Sequence, residues 1–377
     1  MVTYARRRGT YPPHRRSGGP PAGRWGGNVG LGAGAGSGNE PVYGALDLGT
    51  NNCRLLVARP DGRSFEVIDS FSRIVRLGEG LQASGRLSEA AIERTIAALH
   101  VCAAKLRRRG VTRLRSVATE ACRLAANCDD FVARVEDETG LRLEIINTAE
   151  EARLAASGCA PLLRRDQDRA LVFDIGGGSS EVMWIAVPPD GQGGAPEVLD
   201  SVSVPWGVVK MAERWGGDTI TPAVYAAMVE EIRNHLVPFE ARHRIGREIV
   251  ARRVQMQGSS GTVTTLAGIH LALPRYQRSA VDGQFLSFAQ VSAVTDRLRS
   301  MDYGARAAHP CVGPERADLV VAGCAILAAI CLLWPIGVLR VADRGVREGI
   351  LFSLMAADGV GHGGGGHRNG RPLALNA

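Results

Sequence analysis

Residues 170–187 read ALVFDIGGGSSEVMWIAV. An apolar run climbs to Asp174, three glycines follow at 176–178, Ser179 and Ser180 add hydroxyls, and Glu181 opens a second apolar run rich in Val, Ile and Trp. Glycine tolerates positive φ and lets a ligand approach bare backbone. A dinucleotide or Walker glycine motif opens a helix. Here the residues after the glycines keep a strand-like period, so the turn is expected to close a β-hairpin. Successive N–H groups in such a turn form a small anion cradle, and Asp174 at the strand end is placed to hold a cation against that anion. Taken by itself, an ordinary glycine hairpin has the same appearance.

A second copy changes the weighting. Residues 42–58 read VYGALDLGTNNCRLLVA: a strand, Asp47, a turn of Gly49, Thr50, Asn51 and Asn52, and another strand. Two such hairpins in one chain imply two related half-domains that face each other across a cleft. The pair resembles the phosphate-binding loops of the actin, sugar kinase and heat-shock chaperone superfamily.

The chain has 377 residues, 45% of them hydrophobic, enough to bury a large core in two domains. Its formal charge of +7 is unevenly placed. Residues 1–40 hold six arginines against Glu40, and Arg368 and Arg371 lie near the other end, so the body between 41 and 358 is formally neutral. A polyanion site in the body must then be a local cluster, not a general field. Both ends, 1–40 and 358–377, are glycine-rich and poor in large apolar residues, a composition read as disordered tail. The basic tail is read as an inert extension, with weak contact to RNA or another polyanion as the functional alternative. The eight cysteines contain no CxxC pair and no zinc spacing, which points to a reducing cytoplasm. Residues 319–339, LVVAGCAILAAICLLWPIGVL, carry no charge, but Trp334-Pro335 breaks the run. They are read as a buried helix and a core strand, not a membrane span.

Taken in order, the pattern predicts a strand over 64–76, a loop over 77–88 and a helix from Ser88 to about Arg109. Ser88 is the N-cap, and Ala91 three residues on excludes a reciprocal capping box. A strand at 114–119, a helix near 128–139 and a strand at 141–147 follow. The next helix, 148–158, takes Thr148 as its candidate N-cap, and Glu151 then has a capping explanation. After the second hairpin come a loop at 188–197, a strand at 198–204 and helices near 222–236 and 239–247. Residues 252–269 read as strand, glycine turn and helix, whose N-terminus offers free N–H groups to a phosphate or nucleotide. Helices at 287–300 and 314–333, a strand near 338–342 and a helix at 345–357 complete the body.

Six separated stretches now match one family in order. They are ALDLGTNNCRLLVAR (45–59), VATEACRLAAN (117–127), EIINTAEEARLA (144–155), VFDIGGGSSEV (172–182), GSSGTVTTLAG (258–268) and VREGIL (346–351). The chain resembles the exopolyphosphatase and guanosine pentaphosphate phosphohydrolase (Ppx/GppA) family, in a short form without the family's additional C-terminal helical region. The resemblance implies an α/β fold of two actin-like domains, 41–168 and 169–357, with the active site in the cleft between them. It implies hydrolysis of a terminal phosphoanhydride in polyphosphate or guanosine pentaphosphate, with Mg2+, and a homodimer is one expected assembly. Glu151 matches the family's base for the attacking water and Arg123 its phosphate-contacting arginine. Asp47, Asp174 and Glu181 match the metal-binding carboxylates. Gly49, Thr50, Asn51 and Asn52, with Gly176, Gly177, Gly178, Ser179 and Ser180, match the phosphate-binding turns.

These residue types suit the chemistry. Hydrolysis of a phosphoanhydride needs phosphoryl charge neutralised and a water held in line. Turn N–H groups and arginine supply donors, carboxylates hold magnesium mostly through waters, and a glutamate takes the proton from water. A kinase of the same superfamily and a non-catalytic polyphosphate or alarmone sensor are the competing expectations.

Overall fold

Both glycine stretches form hairpins in the computed structural model, which describes residues 40–190 and 195–360. In the first, β1 (Tyr43–Leu48) and β2 (Asn52–Asp61) pair antiparallel from Leu48↔Cys53 outward. In the second, β6 (Arg169–Ile175) and β7 (Ser180–Ala186) pair from Ile175↔Ser180 outward. Each hairpin is extended by a third antiparallel strand, β3 (Ser64–Ile74) or β8 (Glu197–Val204). On its other side each takes a parallel strand, β4 (Arg113–Ala118) or β9 (Val254–Ser259).

The first sheet then runs β3-β2-β1-β4-β5, with β5 at Glu144–Ile145. The second runs β8-β7-β6-β9-β11-β10, with β11 at Val338–Ala342 and a short edge strand β10 at Phe285–Ser287. The first five strands of each order correspond one to one, so the sequence repeat is a repeat of topology. Asp47 and Asp174 occupy equivalent places near the ends of β1 and β6.

The core lies in three layers. Helices Glu89–Arg108 and Cys128–Thr139 cover the outer face of the first sheet through Ile96, Leu99, Phe131 and Val135. Helices Pro222–His243, Gly261–His270 and Val320–Leu333 cover the outer face of the second through Ile232, Leu266 and Ile326. Between the sheets, helices Thr148–Cys159 and Val346–Ala357 join Tyr43, Ala45 and Leu56 of the first sheet to Val172, Met183 and Ile185 of the second.

These two central helices meet at bare backbone. A Cβ on Gly158 would stand 2.0 Å from the Gly345 carbonyl oxygen, and one on Gly349 would stand 2.0 Å from that of Leu154. Alanine is the better helix former, so glycine at both positions reflects the contact. The contact fixes the helix that carries Glu151 against the N-terminal turn of the chain's last helix.

Several local expectations change. The N-cap of the Glu151 helix is Asn147, not Thr148: Asn147 is extended and its side chain accepts from the Glu150 N–H at 2.8 Å. Glu151 is therefore free of any capping duty. Residues 222–243 form one helix through Pro238, because the buried stripe of Met228, Ile232, Leu236 and Phe239 outweighs one lost backbone bond. The strand expected over 141–147 shrinks to two residues. The helix expected from 314 begins at Val320. Short helices also form at Leu81–Ser84 and Glu120–Leu124. Ser88 caps as expected, accepting from the Ala91 N–H at 3.3 Å. Among the described residues no helix is long and apolar enough to cross a membrane; the uncharged run becomes the buried helix Val320–Leu333 and strand β11. The tail stretches 1–39 and 361–377 lie outside the described residues.

Candidate active site

The hairpin turns face each other and touch. Each is closed by its own backbone, Gly49 N–H to Asn52 O and Gly176 N–H to Ser179 O, both at 2.9 Å. A Cβ on Gly177 would stand 3.0 Å from Cβ of Asn51, so a side chain there would press the first turn back by a few tenths of an ångström. The helix Val208–Trp215 is tied to the second turn by Val208 N–H to Gly176 O (3.0 Å) and Val209 N–H to Gly177 O (2.8 Å).

Two connected chambers open beside the turns. The inner one encloses about 110 Å³ between the turns and is walled by Asp47, Thr50, Glu120, Glu151 and Asp174. The outer one encloses about 800 Å³. Asp47, Arg54, Asp174, Ser260, Gly261 and Arg316 line both, so they form the passage between them. The outer chamber collects six arginines, at 54, 73, 278, 316, 344 and 347, against Asp47, Asp174, Glu315 and Asp343. Arg344 is bonded to Asp282 and Arg278 to Glu348. Burial pushes the guanidinium pKa of Arg347 and of Arg316 down, and the nearby charge of Arg54 pushes them the same way. Such unreconciled positive charge in one chamber suits an anion.

Glu151 and Arg123 form a half-buried ion pair. Arg123 Nη1 donates to Glu151 Oε2 and to the Ile146 carbonyl, both at 2.8 Å. Burial and then the charge of Glu181 push the Glu151 carboxyl up to about 8, against the opposing pull of Arg123. Asp174 rises to about 7 through burial, with Arg54 opposing. Asp47 rises for the same reason and is opposed by Arg54 and Arg347. Glu181 rises to about 7 through burial, opposed by hydrogen bonds from Ser179 (2.7 Å) and Ser203 (2.9 Å).

Of the residues singled out in the sequence, Asp47, Gly49–Asn52, Glu151, Asp174 and Gly176–Ser179 line the inner chamber. Three stand behind its wall. Arg123 engages Glu151 and Ile146 through Nη1 alone, its Nη2 buried without a partner, Glu181 is gripped by two serines, and Ser180 donates to the Trp206 carbonyl at 2.8 Å. Sequence reasoning missed Arg54, Glu120, Arg316 and Arg347 as cavity residues. Arg54, Glu120 and Arg347 each sit inside one of the matching stretches, so a search for charged residues there finds them.

The donor set fits a hydrated divalent cation. No group of three His, Cys, Asp or Glu side chains able to hold a metal exists among the described residues. Asp47 and Asp174 are nevertheless two carboxylates facing one cavity, and the side-chain oxygens of Asn51 and Asn52 in the same wall are buried without a partner. Magnesium keeps most of its waters and takes one or two carboxylates plus substrate phosphate, which is what this wall offers.

Two facing halves of matching topology, a glycine turn from each, and a buried glutamate between them make an α/β cleft suited to a phosphoryl group. Comparison with known proteins narrows this. The model of the Ppx/GppA phosphatase family matches residues 56–358, and the chain belongs to that family. It is 32% identical over 324 residues to exopolyphosphatase 2 of Mycobacterium tuberculosis, covering 82% of this chain and 97% of that one. It is 29% identical over 330 residues to the guanosine-5'-triphosphate,3'-diphosphate pyrophosphatase of Photobacterium profundum, covering 84% of this chain and 60% of that longer relative. Among solved structures, the Aquifex aeolicus member of the family superposes with a TM-score of 0.68 at 28% identity, covering 84% of this chain and 98% of that one. An exopolyphosphatase-like protein gives 0.74 at 28% identity with the same coverage.

Proposed function

We propose that this chain hydrolyses the terminal phosphoanhydride of inorganic polyphosphate, with guanosine pentaphosphate as a second substrate sharing the same reacting end. The observation that carries the reading is Glu151. It is a buried carboxyl held near neutrality, ion-paired on one side and open on the other to a small chamber between two glycine turns.

The terminal phosphoryl sits in the inner chamber against the turn N–H groups, and the rest of the substrate trails past Arg54 and Arg316 into the arginine-rich outer chamber. At about 800 Å³ that chamber falls within the ~300–1,000 Å³ usual for small-ligand sites. Glu151 accepts the proton of the attacking water, its pKa lying close to working pH, where a general base is most effective. Arg123 keeps Glu151 oriented through its paired bonds to Glu151 and Ile146. Glu181 supports the same proton affinity from behind the wall. Asp47 and Asp174 hold Mg2+, which when bound neutralises charge on the phosphate oxygens.

The division at 168/169, a cytoplasmic location and a homodimer belong to this reading, the location supported by eight free cysteines, seven of them buried. So does weak polyanion or RNA contact by the basic stretch 1–40.

Orthophosphate release should be measured on polyphosphates of several lengths and on guanosine pentaphosphate, with magnesium and with excess chelator, water being the sole acceptor. Release that stops in chelator is expected. Binding without turnover would favour the sensor reading, and release only with an added hydroxyl acceptor would favour the kinase.

A further inference from the structure

We propose that Arg76 is a positioning residue: reaching across from the first half, it grips the chain on both sides of Arg316 and so sets that guanidinium over the passage through which the substrate trails. The inference deepens the polyphosphate reading of the cleft and rests on it.

Arg76 lies just beyond β3, and its neighbours Val75 and Leu77 are both buried in the core of the first half. Between them Arg76 takes a left-handed backbone, with φ at 47°. A residue other than glycine seldom adopts that region, and such a conformation persists where the surroundings over-determine it. Here they do. Val75 N–H and Arg76 N–H both donate to the Asn51 carbonyl, at 2.9 and 3.0 Å, and Gly78 N–H donates to that of Thr50 at 2.9 Å. Arg94 Nε donates to the Val75 carbonyl at 3.1 Å. The backbone of 75–78 is thus the support on which the first glycine turn rests.

The side chain of Arg76 leaves this support for the other half. Its Nη1 donates to Asp318 Oδ2 at 3.0 Å, and its Nη2 donates to Asp318 Oδ1 and to the Glu315 carbonyl, each at 3.1 Å. Residues 315 and 318 stand on either side of Arg316, so the grip is on the frame that carries it. Leu319 N–H and Val320 N–H close that frame on the Arg316 carbonyl, at 3.0 and 2.9 Å. A planar two-nitrogen fork fixes a carboxylate in orientation as well as distance, which a lysine ammonium would not do. The same segment makes a second crossing: Gly80 N–H donates to Glu213 Oε1 at 2.9 Å, on the helix that is bonded to the second turn. Residues 75–80 therefore tie together the first turn, the support of the second and the frame of Arg316.

Arg316 needs such a frame because its own side chain is loosely held. It makes one hydrogen bond, to Thr265 Oγ1 at 3.4 Å, and no ion pair among the described residues. It lines both chambers, so its charge is open to a polyphosphate chain passing between them. Its place is fixed through its backbone, and Arg76 ties that backbone to the first turn.

The test compares polyphosphate affinity by equilibrium binding, and KM and kcat by phosphate release. Arg76→Asn removes the grip with a residue that tolerates the left-handed backbone, and Asp318→Ala removes it from the other side. In both, Kd and KM should rise about tenfold while kcat stays within about threefold. Arg76→Asn combined with Arg316→Gln should bind no more weakly than Arg316→Gln alone, within about twofold, because a residue that acts through another adds nothing once that other is gone. A residue that merely supports the fold multiplies the two losses, and that result would overturn the proposal. So would unchanged affinity in both Arg76→Asn and Asp318→Ala, or a fall in kcat at constant KM. A wild type that binds polyphosphate without releasing phosphate would overturn the hydrolase reading, and the binding arm would still decide the role of Arg76. A wild type that binds none would overturn both.

Discussion

Replacing Arg123 by Gln isolates the electrostatic setting of the base. In the structure, a single guanidinium nitrogen bonds both Glu151 and the Ile146 carbonyl at 2.8 Å, and its charge opposes the burial and the Glu181 repulsion that raise the Glu151 pKa. An opposite charge in contact lowers a carboxyl pKa by about 1–3 units. Its removal should carry Glu151 from about 8 upward by that amount. At pH 7 the ionised fraction of the base then falls from about one tenth to roughly 10⁻²–10⁻⁴, a loss of about 10- to 1,000-fold in turnover. The loss should shrink steadily as the pH is raised, because the ionised base is restored. The assay is phosphate release from a short polyphosphate between pH 6 and 10, compared as log rate against pH for wild type and Arg123→Gln. A parallel downward displacement at every pH would refute the reasoning and make Arg123 a direct phosphate ligand.

The buried carboxylates also set how stability depends on pH. Glu151, Asp174 and Glu181 all have raised pKa values, so their contribution to stability is complete below their unfolded values of 4.5, 3.8 and 4.5 and is lost as pH rises through about 7 to 8. In chelator, Tm should fall between pH 5.5 and 8.5, and magnesium should restore much of the loss at the higher pH; a Tm that rises over that interval would contradict the assignment. Gly349→Ala puts a methyl 2.0 Å from the Leu154 carbonyl oxygen, a backbone contact that cannot yield cheaply. It should destabilise the protein by about 3 kcal/mol or more in a urea titration, whereas an unchanged midpoint would mean that the two central helices do not pack this closely.

The hairpins are legible in the sequence because a glycine turn between two β-rich runs is a local signal, and its recurrence announces the duplicated topology. The central helices are legible as helices, but their crossing is not. Gly158 and Gly349 are 191 positions apart, and nothing near either marks it as a contact. Glu151 has a local alternative as a capping residue, and only the extended backbone of Asn147 removes it. Arg123 reads as a phosphate ligand from its motif, whereas in three dimensions it reaches Glu151 across 28 residues. Net charge is silent in a different way. A formally neutral body requires any polyanion site to be a local cluster but does not say where, and six arginines from segments as distant as 54 and 347 converge on one chamber. A sum over the chain carries no information on such convergence.

The central claim is that Glu151 activates water against a terminal phosphoanhydride held between the two turns. Its most direct measurement is a comparison of wild type with Glu151→Gln, reading both orthophosphate release and polyphosphate binding in magnesium. Gln keeps the shape of the side chain and an oxygen able to accept from Arg123, but it cannot take a proton from water. Turnover should fall by about 100-fold or more, while polyphosphate affinity stays within a few-fold because the turns and the outer-chamber arginines are intact. Turnover near the wild-type rate in Glu151→Gln, with binding unchanged, would contradict the account.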